Sequence, residues 1–156
     1  MIEVDVPGGE TLQLAHLVLD YNGTLARDGN LLDGVGPKIE ELAPLVQVHV
    51  LTADTHGTVR EKLSGLSCSL HIIGPGGQDR QKEAYVRSLG SKKVTAIGNG
   101  KNDSLMLKSA ALGFVLVQEE GASTAALIHA DILCNTILDA FDILLKPERL
   151  KATLRN

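Results

Sequence analysis

The sequence predicts an α/β domain built on a doubly wound, mostly parallel sheet with helices on both faces. Three observations predict it. Short apolar runs of strand length recur along the chain, among them VQVHVL (46–51), KVTAI (93–97) and GFVLV (113–117). Helix-periodic segments of about ten residues stand between them, the pattern of parallel strands joined by crossovers. The length of 156 residues suits one domain with a real core, and 44% hydrophobic with 22% charged residues is ordinary for a globular protein.

Each element has its own warrant. Residues 2–6 (IEVDV) and 11–19 (TLQLAHLVL) flank Pro7-Gly8-Gly9. They read as a short N-terminal hairpin, residues 1–15, leading into a buried strand. Asp28-Gly29-Asn30 marks a smaller hairpin, a flap within residues 24–34. Pro37 opens a helix with Ile39, Leu42 and Leu45 on one face. The strand over 46–51 follows, then a helix over 57–66 with Val59, Leu63 and Leu66 on one side. SLHII (69–73) is a short strand ended by Gly74-Pro75-Gly76-Gly77. Asp79 caps a helix that Gly90 closes. After the strand over 93–97, Gly98-Asn99-Gly100 turns the chain, and Asn102 or Asp103 caps the next helix. Strands over 113–117 and 131–134 enclose a helix over 122–129. The C-terminus is helical, broken near Pro147. No stretch is long enough for a cap domain, so residues 1–156 read as a single domain.

Composition excludes several function classes. A net charge of −4 and 3% aromatics give neither a basic stripe nor stacking platforms, so no nucleic-acid partner is expected. No apolar run approaches membrane-spanning length, and MIEVDVPGGE lacks the basic and apolar regions of a signal peptide. A cytoplasmic protein without membrane contact is expected. Cys68 and Cys134 sit in apolar runs without C-x-x-C spacing and read as reduced, buried thiols.

In parallel sheets, ligands bind outside the carboxyl ends of the strands. Asp20 in LDYNGTLA (19–26), Thr52 in LTAD and Gly98 in GNGKND each follow an apolar strand, so they should share one edge. With Lys82 they form a phosphoryl-transfer set. Asp20 can attack phosphorus. Thr52 can donate to a phosphoryl oxygen, and Lys82 can neutralise developing charge. Asn99 and Asp103 can face Mg²⁺, which takes few protein ligands. Asn22, Gly23, Thr24, Ala53 and Asn102 adjoin these positions and complete the candidate site. Asp54 reads as an N-cap, His56 as a bystander, Asp28 as a flap residue near substrate. His16, His49, His71 and His129 have no ligand spacing and read as structural.

The four motifs, DYNGT, TAD, Lys82 and GNGKND, resemble in order those of the haloacid dehalogenase (HAD) superfamily. More narrowly they resemble the phosphorylation domain of P-type ATPases, with D-K-T-G-T, T-G-D, a Lys and G-D-G-x-N-D. The similarity runs from about Leu17 to Leu150, through SLMLKSAALGFVL and GASTAALIHADILC. It implies a HAD-type fold, an aspartyl-phosphate intermediate on Asp20 and Mg²⁺ as cofactor. It implies substrate contacts at Gly23, Thr24, Ala53 and Asn102, and metal contacts at Asp20, the Asn22 main-chain carbonyl, Asn99 and Asp103. The substrate is a phosphorylated small molecule or macromolecule. Capless members of the superfamily act on large substrates or oligomerise to cover the site, so a homo-oligomer belongs to this reading.

Two family carboxylates are amides here. Asn22 stands where phosphatases have a general acid, whose loss costs about 10²–10⁴ in rate. Asn99 stands where an Asp holds the metal. The expectation is slow turnover, a preference for activated phosphates over monoesters, and an accumulating phosphoenzyme. Both amides precede glycine, so deamidation could restore an acid at either place. The alternative is a degenerate regulatory or phosphate-binding module on the same fold. A signalling receiver domain is the third candidate. Receivers carry an acidic pair before the phosphorylated Asp, whereas Asp20 is itself on the early strand.

Overall fold

A computed structural model describes residues 1–53 and 57–156. Its centre is a six-stranded sheet. The strands are β3 (His16–Asp20), β6 (Gln47–Thr52), β7 (Ser69–Ile72), β8 (Val94–Gly98), β9 (Leu112–Leu116) and β10 (Ile132–Cys134). The spatial order is β10-β9-β8-β3-β6-β7, and every neighbouring pair is parallel. The expected run over 11–19 is two strands, broken at Ala15. β1 (Ile2–Asp5) pairs antiparallel with β2 (Thr11–Leu14) as a separate hairpin, while β3 enters the main sheet. The flap is β4 (Ala26–Arg27) with β5 (Asn30–Leu31), turned by Asp28 at φ 51° and Gly29 at φ 78°. Two successive positive φ values are what a two-residue hairpin turn needs.

Sheet residues alternate between two cores. On one face Leu17, Leu19, Val48, Val50, Phe114 and Leu116 pack with α1 (Val35–Leu42), α6 (Ile137–Leu145) and α7 (Pro147–Leu154). On the other, Val18, Leu51, Ala96 and Val115 meet α3 (Gln78–Ser88), α4 (Ser104–Ser109) and α5 (Thr124–Leu127). This period-two division into two covered faces is the doubly wound layout.

Several boundaries differ from expectation. α1 begins two residues before Pro37, because any of the first helical N–H groups lacks an intrahelical partner and so proline fits throughout the first turn. Leu45 falls beyond that helix and is half-exposed. α2 covers only Thr58–Lys62, and the chain turns at Gly65. Gly77, not Asp79, precedes α3, leaving Asp79 in its first turn. Asp103 offers α4 no side-chain cap; its carboxylate is used elsewhere. The helix expected over 122–129 spans Thr124–Leu127, capped by Ser123. Asp54 and His56 lie outside the described residues.

β3 leads to β6 and β7 on one side, and the chain then returns to β8, β9 and β10 on the other. The direction therefore reverses between β3 and β8. Such a switch point opens a crevice at the carboxyl ends of the flanking strands. Asp20 ends β3 there and Gly98 ends β8 there.

Both cysteines are free. Burial pushes the Cys134 thiol up to about 11 and raises Cys68 as well. No helix among the described residues is long and apolar enough to cross a membrane.

Candidate active site

The crevice holds a polar cavity of about 380 Å³ lined by Asp20, Asn22, Thr52, Ala53, Lys82 and Asn99, with Asn102 and Glu120 at its rim. Segments up to 100 residues apart therefore meet where the strand-end rule placed them. A cavity of about 790 Å³ lies between the flap and the start of α6. It contains Asp28 but none of Asp20, Thr52, Lys82 and Asn99.

Lys82 is the centre of the geometry. Its Nζ donates at 2.6 Å to Asp20 Oδ1 and at 2.6 Å to Asp103 Oδ1. The side chain is only 1% exposed, so α3 carries an ammonium into the protein interior against these two carboxylates at the wall of the cavity. Burial pushes the ammonium down, but the two carboxylates outweigh it and hold its pKa above the ordinary value. Asp20 goes the other way. Burial first, and Asp103 second, raise its pKa to about 7 against the attraction of Lys82 and a hydrogen bond from Thr24. One cation faces two carboxylates, so one negative charge stays uncompensated.

Asp103 is fully buried and does not line the cavity. Its Oδ2 accepts the backbone N–H groups of Asn99 at 3.0 Å and Gly100 at 2.8 Å, so it shapes the GNGKND turn while holding Lys82. Gly98 makes this possible, since a Cβ there would lie 2.5 Å from Asp103 Cγ. Gly23 and Thr24 likewise act beside the cavity rather than in it. The Gly23 N–H is taken by the Ala26 carbonyl at 2.8 Å. The Thr24 hydroxyl donates to Asp20 Oδ2 at 3.2 Å. Thr52 is buried at the cavity wall, Ala53 follows it, and Asn102 donates to Gln78 Oε1 at 2.9 Å. Asn22 is exposed at the mouth.

The loop after β9 was not foreseen. Gln118 donates at 3.0 Å to the carbonyls of both Gly23 and Thr24, and its Oε1 accepts from the Ile137 N–H at 2.9 Å. It fastens the loop of Asp20 to the start of α6. Asn99 donates to the Gly121 carbonyl at 3.0 Å, and Ser123 N–H to the Asn99 carbonyl at 2.8 Å. Glu120, between these two fastenings, reaches the cavity. The signal was available: this loop also follows a strand's carboxyl end.

Three of the four histidines read as structural, His16, His49 and His71, are linked. His16 Nδ1 lies 3.1 Å from His49 Nε2, His49 Nδ1 2.9 Å from the Tyr85 hydroxyl, and that hydroxyl 2.6 Å from His71 Nε2. Spacing could not reveal this chain, because its members come from three neighbouring strands and α3.

The residues fit a hard divalent cation by their donor chemistry. Asp20 and Asn99 present oxygens, the atoms Mg²⁺ takes. Asn99 Oδ1 accepts no hydrogen bond among the described residues, while its Nδ2 is engaged by Gly121. Deamidation is restrained at both Asn-Gly pairs. The attacking nitrogen would be the glycine N–H, which is tied to Ala26 O at Gly23 and to Asp103 Oδ2 at Gly100.

No family model matches the chain. The uncharacterized protein MJ0073 of Methanocaldococcus jannaschii is 48% identical over 66 residues, 42% of this chain and 71% of that protein. The two belong to one family. Among solved structures, the cobalt-bound deoxy-D-mannose-octulosonate 8-phosphate phosphatase of Haemophilus influenzae superposes with a TM-score of 0.72 at 15% identity, covering 90% of this chain and 92% of that one. The Moraxella catarrhalis 3-deoxy-D-manno-octulosonate 8-phosphate phosphatase, solved with magnesium, phosphate and KDO, gives 0.67 at 15%, covering 89% and 90%. A zinc-transporting PIB-type ATPase gives 0.63 at 23%, covering 78% of this chain and 20% of that one.

Proposed function

We propose that this chain, which has the haloacid dehalogenase fold, is a Mg²⁺-dependent phosphohydrolase that works through an aspartyl phosphate on Asp20. The observation that carries the reading is the ammonium of Lys82 held at 2.6 Å from both Asp20 and Asp103, at the wall of a polar cavity on the sheet's switch point. A buried cation beside a carboxylate at such a place serves a ligand that brings further negative charge.

Thr24 and Lys82 fix the two oxygens of Asp20, so the carboxylate is aimed before substrate arrives. An Asp20 oxygen attacks phosphorus as the bond to the leaving group breaks, and that bonding pair departs with the leaving oxygen. Lys82 and the Thr52 hydroxyl offset charge on the phosphoryl oxygens. Water then displaces Asp20, releasing inorganic phosphate. Asp20, Asn99 Oδ1 and the Asn22 main-chain carbonyl would hold Mg²⁺, which neutralises phosphoryl charge when bound.

Asn22 has no proton to give a departing alkoxide. Acyl phosphates and phosphoanhydrides leave unaided, so they are the substrates this site favours, and the phosphoenzyme should persist. Two of the solved structures named above are octulosonate 8-phosphate phosphatases and one is a transport ATPase, so a sugar phosphate monoester and ATP are the informative pair to compare. Acid-quenched protein incubated with Mg²⁺ and radiolabelled acetyl phosphate or ATP should carry label on Asp20, and Asp20→Asn should carry none. Turnover without label on Asp20 would overturn the covalent route. Equal turnover of monoesters and anhydrides would overturn the leaving-group argument. Asn22 and Asn99 favour a second reading, a phosphate-binding module of the same fold. That reading holds if wild type binds phosphate but only an Asn22→Asp, Asn99→Asp double variant turns over.

A further inference from the structure

We propose that Glu120 is a ligand of the divalent cation in this site, direct or through one water, supplying the carboxylate that residue 99 lacks. The inference rests on the cation-dependent reading above.

Three observations carry it. First, Glu120 reaches the loop that follows Asp20. An ideal Cβ built on Gly23 would lie 2.5 Å from Glu120 Oε2, 2.6 Å from Asn99 Nδ2 and 2.7 Å from Asn99 Oδ1. The carboxylate and the amide oxygen thus converge over one point of the Asp20 loop, and both line the cavity that holds Asp20 and Lys82. Second, Glu120 is held there. Gly121 N–H closes a turn onto the Gln118 carbonyl at 2.8 Å, with Gly121 at φ 71°. Gln118 grips Gly23 and Thr24 on one side, and Gly121 and Ser123 grip Asn99 on the other. Third, its charge is unspent. Its neighbour Glu119 pairs with Arg27 at 2.8 Å, whereas Glu120 makes no hydrogen bond or ion pair among the described residues.

Charge balance gives the physical reason. Asp20 and Asp103 against Lys82 leave one net negative charge at the site. Glu120 makes it two, equal and opposite to the charge of a magnesium ion. Asn99 offers an oxygen without charge, so the attraction for a dication has to come from another element. Glu120 is exposed at the mouth and keeps its hydration until the cation arrives. That avoids the desolvation cost of another buried carboxylate beside Asp20.

The test is cation affinity, measured by calorimetry with Mg²⁺ and by the free-ion paramagnetic signal of Mn²⁺, with no substrate present. Glu120→Gln should weaken binding roughly tenfold or more, the scale on which altered metal surroundings act. Glu119→Gln should bind as wild type does. Asn99→Asp in the Glu120→Gln background should recover the loss. If Asp20→Asn weakens binding but Glu120→Gln leaves it unchanged, the proposal fails and the site assignment stands. If wild type binds neither cation, or Asp20→Asn leaves binding unchanged, the cation site itself fails and the proposal with it.

Discussion

Replacing Lys82 with methionine tests the electrostatic core of the site most directly. Methionine fills much of the lysine stem's volume, so the change removes charge more than packing. It leaves Asp20 and Asp103 facing each other across the place of the ammonium, with Asp103 fully buried. Breaking a buried ion pair by removing one partner costs about 3–5 kcal/mol, mostly because the remaining charge is uncompensated. Here two carboxylates lose their shared cation, so the upper half of that range is expected. Total stability of a domain is about 5–15 kcal/mol, so the variant should still fold. Urea denaturation in a chelating buffer at pH 7.5, followed by circular dichroism, would give the loss as a lowered midpoint at unchanged slope. Adding Asp103→Asn should return a large part of it, since the second substitution removes a charge the first stranded. A loss below about 1 kcal/mol, or a double variant weaker than the single one, would refute the account of Lys82 as the cation that holds two buried carboxylates.

Three further outcomes follow from other parts of the molecule. Burial first, then the charges of His16 and His71, lower the His49 pKa to about 4. The folded state therefore keeps His49 neutral where the unfolded chain protonates, near 6.5. Its stabilising contribution is complete above pH 6.5 and is lost as pH falls toward 4. With His49 only 7% exposed, the loss is about 2–3 kcal/mol. Asp20 titrates in the opposite sense as pH rises toward 7, so the measurement is the difference between wild type and His49→Gln in urea midpoints from pH 7.5 to 4.5. A Cβ at Gly113 would sit 2.8 Å from the Leu107 carbonyl oxygen, which is backbone and cannot swing aside. Gly113→Ala should cost about 1–3 kcal/mol in the same denaturation assay while leaving Mg²⁺ affinity unchanged. Asn22→Asp should raise hydrolysis of a phosphomonoester by about 10²-fold or more and leave acetyl phosphate turnover within severalfold, read as kcat for each substrate.

The sheet and the location of the site were legible because both depend on local signals that agree. Apolar runs such as KVTAI and GFVLV cannot be satisfied except in a sheet covered on both faces, and the residues that follow them must then fall on one edge. Asp20, Thr52 and Gly98 were expected on one edge that way, and each ends a strand of the parallel sheet. The division of labour among them was not legible. Asp103 and Asn99 look interchangeable along the chain, yet the turn buries Asp103 against Lys82 and leaves the Asn99 side chain toward the cavity. Gly23 and Thr24 look like phosphate contacts, but their backbone groups are consumed by Ala26, Tyr21 and Gln118. The linked histidines depend on strand order, which three separate apolar runs do not encode. α2 was overextended because Leu63 and Leu66 keep helical spacing beyond Lys62, where the helix ends ahead of the turn at Gly65.

The amides at 22 and 99 and the arrangement around Lys82 answer one electrostatic problem. A buried site for phosphate and a dication must attract both cations and anions, and its metal-free form must still fold. One ammonium between two carboxylates already leaves Asp20 raised to about 7. Asn99 is as buried as Asp20, so an aspartate there would add a third buried carboxylate to a site with one buried ammonium. Asn99→Asp alone should therefore lower metal-free stability while tightening Mg²⁺ binding; both effects should shrink as salt rises, and added Mg²⁺ should offset the stability loss. An exposed carboxylate at the mouth escapes that conflict, because water solvates it when the cation is absent. Denaturation midpoints of wild type and Asn99→Asp with and without Mg²⁺ decide the matter. An Asn99→Asp protein more stable than wild type in chelator would mean that charge repulsion does not limit this site.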